Sequence, residues 1–159
     1  MLPEAKRVLI TGGGSGIGRA LAVEAARRGM EVAVCGRRRA ALEDTAAALS
    51  ASAHPLVIEA DITSPADRAR LVARLTEAWG ALDVLVNNAG TVKGGPLRGA
   101  DDAALEETFQ TNVLAPMALT RELAPLLMRA RPSRVVNVGS VFGDIAYPGF
   151  AAYSASKFA

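Results

Sequence analysis

A glycine-rich segment near the start of the chain is the feature that most constrains its fold. The segment reads TGGGSGIG over residues 11–18 and directly follows the apolar run Val8-Leu9-Ile10. Glycines are needed where a turn is tight, where backbone approaches a phosphate, and where a helix packs closely on a strand. The spacing is G-x-x-x-G-x-G, and no G-K-[ST] sequence marks a Walker loop. A flexible glycine turn is the alternative, but the position between a buried strand and an amphipathic helix favours an anion site at the helix N-terminus.

Short apolar runs rich in β-branched residues alternate with alanine- and leucine-rich stretches along the chain. This alternation predicts an α/β fold, a doubly wound, Rossmann-like parallel sheet with helices on both faces. The predicted strands are Arg7 to Thr11, Glu31 to Cys35, Pro55 to Ala60, Leu82 to Val86 and Arg134 to Gly139. The predicted helices are about Gly16 to Arg28, Arg39 to Ser50, Pro65 to Trp79, Asp101 to Thr111 and Val113 to Ala130. Pro116 and Pro125 predict a kink or a restart in the last helix.

Composition indicates the class of protein. With 159 residues, half of them hydrophobic, we expect a single domain over residues 1–159. The net charge is +2 with both signs interspersed, and 4% of residues are aromatic, so neither charge nor stacking indicates nucleic-acid binding. The single cysteine, Cys35, excludes an internal disulfide and lacks partners for a cysteine metal site. We expect a cytoplasmic protein with no membrane partner, since neither a signal-peptide apolar region nor a membrane-length apolar run is present.

Tyr153 and Lys157 form the first candidate catalytic pair. They are four residues apart, which places both side chains on one face of a helix and sets an ammonium beside a phenol. A phenol titrates near pH 10 in water, and a neighbouring cation favours its ionised form and makes it a better acid-base catalyst at neutral pH. Alone, this spacing is also typical of a solvated helix, so its interpretation depends on the sequence upstream.

Taken together in this order, the motifs give the chain a family resemblance. They are TGGGSGIG at residues 11–18, Asp61-Ile62, Asn87-Asn88-Ala89-Gly90, Asn112, Ser140, and the Tyr153/Lys157 pair. The chain resembles the short-chain dehydrogenase/reductase family over nearly its whole length. The spacing of 13 between Ser140 and Tyr153 is also similar to that family's spacing.

The resemblance implies four catalytic roles. Tyr153 would be the general acid in carbonyl reduction and the general base in alcohol oxidation, and Lys157 would lower the pKa of its phenol and bind the nicotinamide ribose. Ser140 would orient and stabilise the reacting oxygen. Asn112 would hold a water that links Lys157 to solvent. Without the resemblance, Ser140 would be interpreted as a turn or cap residue and Asn112 as a kink or surface residue.

The resemblance also implies the cofactor contacts. Asp61 would pair with the adenine amino group, although it could instead cap the helix that starts near Ser64-Pro65. The Asn87-Asn88-Ala89-Gly90 segment would steady the sheet and border the cofactor, where the alternative is an ordinary asparagine-glycine loop. The full predicted set is Gly12, Gly14, Ser15, Gly16, Ile17, Gly18, Arg37, Arg38, Asp61, Ile62, Asn88, Ala89, Gly90, Tyr153 and Lys157.

The end of the second predicted strand favours NADP(H) over NAD(H). NAD enzymes of this kind place an acidic residue there to hold the ribose hydroxyls, but this chain has Gly36 followed by Arg37, Arg38 and Arg39. A guanidinium binds a 2′-phosphate through parallel hydrogen bonds, and a carboxylate would repel it. Solvated surface charge is the alternative. Ser15 weakens the prediction, since NADP-preferring relatives often carry a basic residue in the glycine loop.

The predicted function is hydride transfer between NADP(H) and a ketone or secondary alcohol, whose identity the sequence does not indicate. The alternatives are a catalytically inactive dinucleotide-binding or interaction module and, less favoured, a sugar-nucleotide epimerase. The resemblance implies a further strand, the rest of the helix that carries Tyr153 and Lys157, and a helical lid. We therefore expect residues 1–159 to form a dinucleotide-binding domain that is incomplete at its C-terminus, and a homo-oligomer in the full-length protein.

Overall fold

The computed structural model describes residues 7–49 and 55–159 and contains a five-stranded parallel sheet. The strands are β1 Arg7–Thr11, β2 Glu31–Gly36, β3 Leu56–Glu59, β4 Val84–Asn87 and β5 Arg134–Asn137, in the order β3-β2-β1-β4-β5. The helices are α1 Gly16–Arg27, α2 Arg39–Ala47, α3 Pro65–Ala78, α4 Asp102–Phe109, α5 Ala115–Ala130 and α6 Ala151–Phe158. The predicted Rossmann-like architecture is confirmed.

Two hydrophobic clusters cover the two faces of the sheet. Successive side chains of a strand point to opposite faces, so the buried β1 run contributes to both clusters. Leu9 belongs to the cluster that includes Leu71 of α3 and Leu119 of α5. Val8 and Ile10 belong to the other cluster, together with residues of α1 and α2. The run of consecutive apolar residues in β1 is therefore explained by the burial of both faces of the sheet.

The predicted strands all exist, and most of their ends differ by one or two residues. The predicted end of the second helix at Ser50 lies outside the described residues. The predicted break at Asn112 is wrong, because Gln110–Leu114 form a π-helical turn that joins α4 to α5. The helix α5 begins at Ala115, directly after the π-helical turn, with Pro116 in its first turn, and it continues through Pro125 without a break. None of the described helices is long and apolar enough to span a membrane.

The strand order places a crevice at the carboxyl end of β1. The chain moves from β1 outward to β2 and β3, and then returns to the other side of β1 with β4 and β5. Loops after β1 and β4 therefore leave the sheet in opposite directions, and the space between them is the usual ligand site of an open parallel sheet. The glycine-rich segment follows β1 and the Asn88-Ala89-Gly90 segment follows β4, so both border this crevice.

Candidate functional site

The turn after β1 depends on glycine at several positions. Gly12 and Gly16 have φ angles of +66° and +52°, which favour glycine. Gly18 lies in the first turn of α1, and a Cβ there would come within 2.3 Å of the Gly12 carbonyl oxygen. A Cβ at Gly13 would come within 2.7 Å of the Val34 side chain. The segment is therefore a tight turn that holds the N-terminus of α1 against the sheet.

A hydrogen-bonded clasp joins this turn to the end of β4. The buried Thr11 hydroxyl accepts hydrogen bonds from the backbone N–H groups of Asn88 and Ala89, each at 2.9 Å, and donates to the Val86 carbonyl at 3.2 Å. The Asn88 amide donates to the carbonyls of Thr11 and Gly12 at 2.8 and 3.3 Å. Thr11 was not predicted as a site residue. A threonine that ends an otherwise apolar buried strand was the signal available for it.

A groove of about 400 Å³ runs across the crevice. It brings together eleven of the predicted cofactor residues: Gly12, Ser15, Gly16, Ile17, Arg37, Arg38, Asp61, Ile62, Asn88, Ala89 and Gly90. Gly14 lines a smaller adjoining cleft, and the buried Gly18 lies beneath the turn. The groove also includes Gly36, Glu107 and Thr111, which were not predicted.

The far end of the groove is a rigid corner around Asp61. One oxygen of its carboxylate accepts hydrogen bonds from the backbone N–H and the hydroxyl of Thr63, which leaves the second oxygen for another donor. The Asp61 N–H donates to Asp67 at 2.9 Å and, as the main cause, lowers the pKa of Asp67. The Ile62 carbonyl accepts from Arg68, which is buried and paired with Glu122 of α5 at 3.1 Å. Asp61, the predicted adenine contact, is therefore fixed by hydrogen bonds to its own side chain and backbone and to the neighbouring Ile62 carbonyl.

Two cations lie between the glycine turn and this corner. Arg37 and Arg38 are exposed and line both the groove and the smaller cleft beside it. Within the part of the chain that the structure describes, neither forms an ion pair. The adjacent Arg39, by contrast, is held by Glu43 at 2.7 Å. The two guanidinium groups at the groove are thus available to an anionic ligand.

The predicted residues Tyr153 and Lys157 lie on α6 and do not line the groove themselves, but Lys157 lies close to Gly90, which does. The Lys157 ammonium lies 5.9 Å from the centroid of the Tyr153 ring and donates to the Val138 carbonyl at 2.9 Å. A Cβ at Gly90 would come within 4.0 Å of the Lys157 nitrogen and 3.3 Å of the Asn112 carboxamide oxygen. Gly90 therefore lets the cofactor groove reach the predicted catalytic residues.

Asn112 joins the groove to α6 from the π-helical turn. Its carboxamide oxygen accepts from the Thr91 N–H at 2.8 Å, and its amide group donates to the Thr91 carbonyl and the Ser156 hydroxyl, each at 2.9 Å. Both amide hydrogens are used, so a water beside Asn112 can only donate to it, either to the second lone pair of the side-chain oxygen or to the main-chain carbonyl. Ser156 was not predicted as part of this arrangement.

Ser140 lies in the loop after β5, beside the start of a short 3-10 turn. Its hydroxyl oxygen accepts from the Phe142 N–H at 3.2 Å. The Phe142 ring in turn meets the edge of the Tyr153 ring at a centroid distance of 6.0 Å. The structure thus places Ser140 in the loop that packs against Tyr153. Within residues 7–49 and 55–159, no group of three or more His, Cys, Asp or Glu side chains is arranged to hold a metal ion.

Several known proteins are similar to this chain in sequence. A sequence profile described as short chain dehydrogenase matches residues 6–159. The rhamnolipids biosynthesis 3-oxoacyl-[acyl-carrier-protein] reductase of Pseudomonas aeruginosa is 40% identical, with 95% of this chain and 61% of that protein covered. The NADPH-dependent pterin aldehyde reductase of Arabidopsis thaliana is 34% identical, with 98% of this chain and 64% of that protein covered.

Solved structures are also similar to this chain. A variant of actinorhodin polyketide ketoreductase, determined with NADPH, matches with a TM-score of 0.91 and 31% identity. That match covers 97% of this chain and 60% of the ketoreductase chain. The chain therefore spans about three fifths of the length of these proteins.

Proposed function

The chain belongs to the short-chain dehydrogenase/reductase family, and from this premise we propose that the protein transfers hydride between NADP(H) and a ketone or secondary alcohol. The observation that carries the proposal is the meeting of groove and catalytic residues at Gly90. Gly90 lies beside both Asn112 and Lys157. Tyr153 is one helical turn before Lys157 on α6. A ligand lying along the groove would thus reach a proton donor.

The groove fits a dinucleotide. Its glycine turn leaves no room for side chains at Gly12, Gly13 and Gly18, which permits close approach to a pyrophosphate. The second Asp61 oxygen, which has no donor among the described residues, can accept a hydrogen bond from an amino group such as that of adenine. When bound, the nicotinamide supplies the hydride chemistry, and the protein supplies binding and orientation.

The chain's own residues would move the proton. In reduction, the Tyr153 hydroxyl gives its proton to the carbonyl oxygen as the hydride adds to carbon, and in oxidation the phenolate takes that proton back. The positive charge of Lys157 stabilises the phenolate, and the Ser140 hydroxyl donates to the same oxygen of the substrate. After reduction the Tyr153 phenolate would regain a proton from solvent through the Lys157 ammonium. A cavity of about 590 Å³ borders Asn112, Ser156 and Lys157, and it has space for a water that would replace the proton given up by Lys157.

NADP(H) is preferred over NAD(H) because Arg37 and Arg38, which pair with no carboxylate among the described residues, line the groove where a 2′-phosphate would lie. The lining has Gly36 where NAD enzymes carry an acid, so no carboxylate repels the phosphate there. The names of two relatives support the preference, since one is an NADPH-dependent reductase and the other is a ketoreductase solved with NADPH.

The cofactor proposal is tested by titrating NADPH and NADH into the protein expressed from its complete coding sequence, with nucleotide fluorescence as the signal. We expect tighter binding of NADPH, and Arg37→Gln should weaken NADPH binding by about 10-fold or more because a charge-assisted hydrogen bond is lost. Binding of NADH should not change. Arg39→Gln is the matched control, since Glu43 already holds that guanidinium. Tighter binding of NADH by the wild-type protein would contradict the proposal.

The activity is tested by following NADPH oxidation against a panel of ketones. Tyr153→Phe should lower turnover by about 100-fold or more, as expected on removing a general acid, and should change NADPH binding far less than turnover. Phenylalanine keeps the ring that packs against Phe142, so loss of fold is not the expected cause. Binding of NADPH without turnover of any ketone would instead favour an inactive dinucleotide-binding module.

A further inference from the structure

The aromatic side chains of this chain are concentrated beside Tyr153. Only seven of the 159 residues are aromatic, and four of them lie between residues 142 and 153. The ring of Phe142 stacks on that of Tyr147 with centroids 5.4 Å apart and planes 7° apart, and its centroid is 5.2 Å from that of Phe150. We refer to Phe142, Tyr147 and Phe150 as the aromatic wall.

The wall contacts the proposed proton donor directly. Phe142 meets the ring of Tyr153 in a T-shaped arrangement, with an angle of 78° between the planes. The N–H of the same residue is bound to the Ser140 hydroxyl. Because Tyr153 and Ser140 would both address the reacting oxygen, a substrate presented to them lies next to the wall.

One end of the wall is anchored to the loop after β4. A Cβ at Gly94 would come within 3.2 Å of the Phe150 ring, so glycine allows this loop to pack closely on the ring. The N–H of Gly95 donates to the Gly149 carbonyl at 2.7 Å. This end of the wall therefore has a packing role, and Phe150 is expected to support its neighbours.

The other end of the wall is open. Tyr147 is 55% exposed, and Val141 and Ile145 of the same loop are 62% and 54% exposed. An aromatic ring that served only to stabilise the core would be mostly buried. Instead, a stacked pair of rings extends from Tyr153 to solvent, in a loop that also carries the exposed Val141 and Ile145.

We propose that the aromatic wall makes the protein prefer ketones that carry a flat aromatic ring near the carbonyl group. This inference rests on the proposed function and names the substrate class of the same site. Aromatic rings attract one another in stacked and edge-to-face arrangements beyond the effect of burying apolar area. A saturated ring of the same carbon skeleton cannot stack in this way. The usual strength of an aromatic pair corresponds to a preference of about 3- to 10-fold in kcat/KM.

The test compares two ketones whose carbonyl groups have the same reactivity. These are benzylacetone and its ring-hydrogenated analogue, in which cyclohexyl replaces phenyl and two methylenes separate the ring from the carbonyl. The cyclohexyl compound is the more hydrophobic of the pair, so burial alone favours it. We expect kcat/KM with NADPH to favour the phenyl compound in the wild-type protein from its complete coding sequence.

The variants separate ring stacking from general packing. Tyr147→Leu should bring the ratio of the two kcat/KM values to about one or below, whereas Tyr147→Phe should keep it. Phe109→Leu, the same kind of change on α4, is the control and should also keep the ratio. Since Tyr147 is exposed, these variants are expected to fold, which a thermal melt verifies.

The outcomes distinguish this inference from the proposed function. Turnover of both ketones with equal kcat/KM, or a preference that survives Tyr147→Leu, would overturn the inference and leave the oxidoreductase standing. Binding of NADPH without turnover of any ketone in the wider panel would overturn the proposed function, and the inference would fall with it.

Discussion

Replacement of Gly18 by alanine tests how the cofactor turn is built. The structure places a Cβ at this position 2.3 Å from the Gly12 carbonyl oxygen, 2.5 Å from the Asn88 amide nitrogen and 2.9 Å from the Gly12 carbonyl carbon. Two of these atoms belong to the backbone, so the strain cannot be relieved by rotating a flexible side chain. Either α1 must move away from the sheet or the turn must open.

The expected cost follows from two opposing effects. Overpacking of this kind destabilises proteins by about 1–3 kcal/mol, and the upper part of that range applies because backbone must shift. Alanine in place of glycine within a helix returns about 1 kcal/mol. The net loss is therefore about 1–2 kcal/mol, or about 2–8 °C in Tm for a protein of 150–250 residues. Binding of NADPH should weaken by about 10-fold or more, because Gly12 and Asn88 border the groove.

The measurements are thermal or urea unfolding, and NADPH titration, on Gly18→Ala and on a control. Gly99→Ala is the matched control because a Cβ there meets no atom within 4 Å and the residue has an ordinary φ. We expect the control to be as stable as the wild-type protein or slightly more so. If Gly18→Ala behaved like Gly99→Ala in both measurements, the close packing of α1 on the glycine turn would be wrong as an explanation of the motif.

Two further predictions concern single ionisable groups. Burial raises the pKa of Cys35 to about 12, so the thiol should stay unreactive towards iodoacetamide at pH 8 in the folded protein and react fully in guanidinium chloride; modification under native conditions would contradict its burial. The hydrogen bond from Asp61 and the nearby Arg70 lower the pKa of Asp67 in the folded state. The charged carboxylate thus stabilises the fold above its unfolded pKa of about 3.9, and this contribution is lost as the pH falls through the folded pKa. Asp67→Asn should lower the urea midpoint at pH 7 but not in strong acid, and a difference that persisted in acid would count against this account.

The periodicity of the sequence was sufficient to predict the elements of the fold. The buried strands of a parallel sheet show continuous apolar runs, and these located all five strands. The break predicted near Asn112 failed for a physical reason. A π-helical turn changes the hydrogen-bonding partner from the fourth to the fifth residue, and it keeps the chain helical while reorienting one side chain. Spacing of apolar residues does not reveal such a shift, and an asparagine there suggested an interruption.

Residues that belong to the sequence motifs were predicted to line the candidate site. The side chains that hold those residues in position were not predicted. Glycines and asparagines at fixed spacings indicated the groove and the region around Lys157. The hydroxyl groups of Thr11 and Ser156, which hold Asn88 and Asn112 in place, carry no motif of their own. The role of Thr11 depends on β4 lying beside β1, and the role of Ser156 depends on α6 lying against the π-helical turn.

The groove and the aromatic wall beside Tyr153 are formed by different parts of the chain, one mainly by backbone and the other by side chains. The groove half depends largely on backbone, since it leaves little room for side chains at Gly12 and Gly18 and is held by hydrogen bonds between main-chain groups and the side chains of Thr11 and Asn88. Backbone geometry of this kind tolerates few residue types, so the cofactor class can be read from the sequence. The wall beside Tyr153 consists of side chains from the loop between β5 and α6, where many residues fit the same turn. Lys157 bridges the halves, as its ammonium is bound to the backbone at Val138 on one side and lies near Gly90 on the other. Under the proposed function, substitutions in residues 141–150 would change substrate preference without disturbing the groove, and the short motifs would indicate the cofactor class but not the substrate.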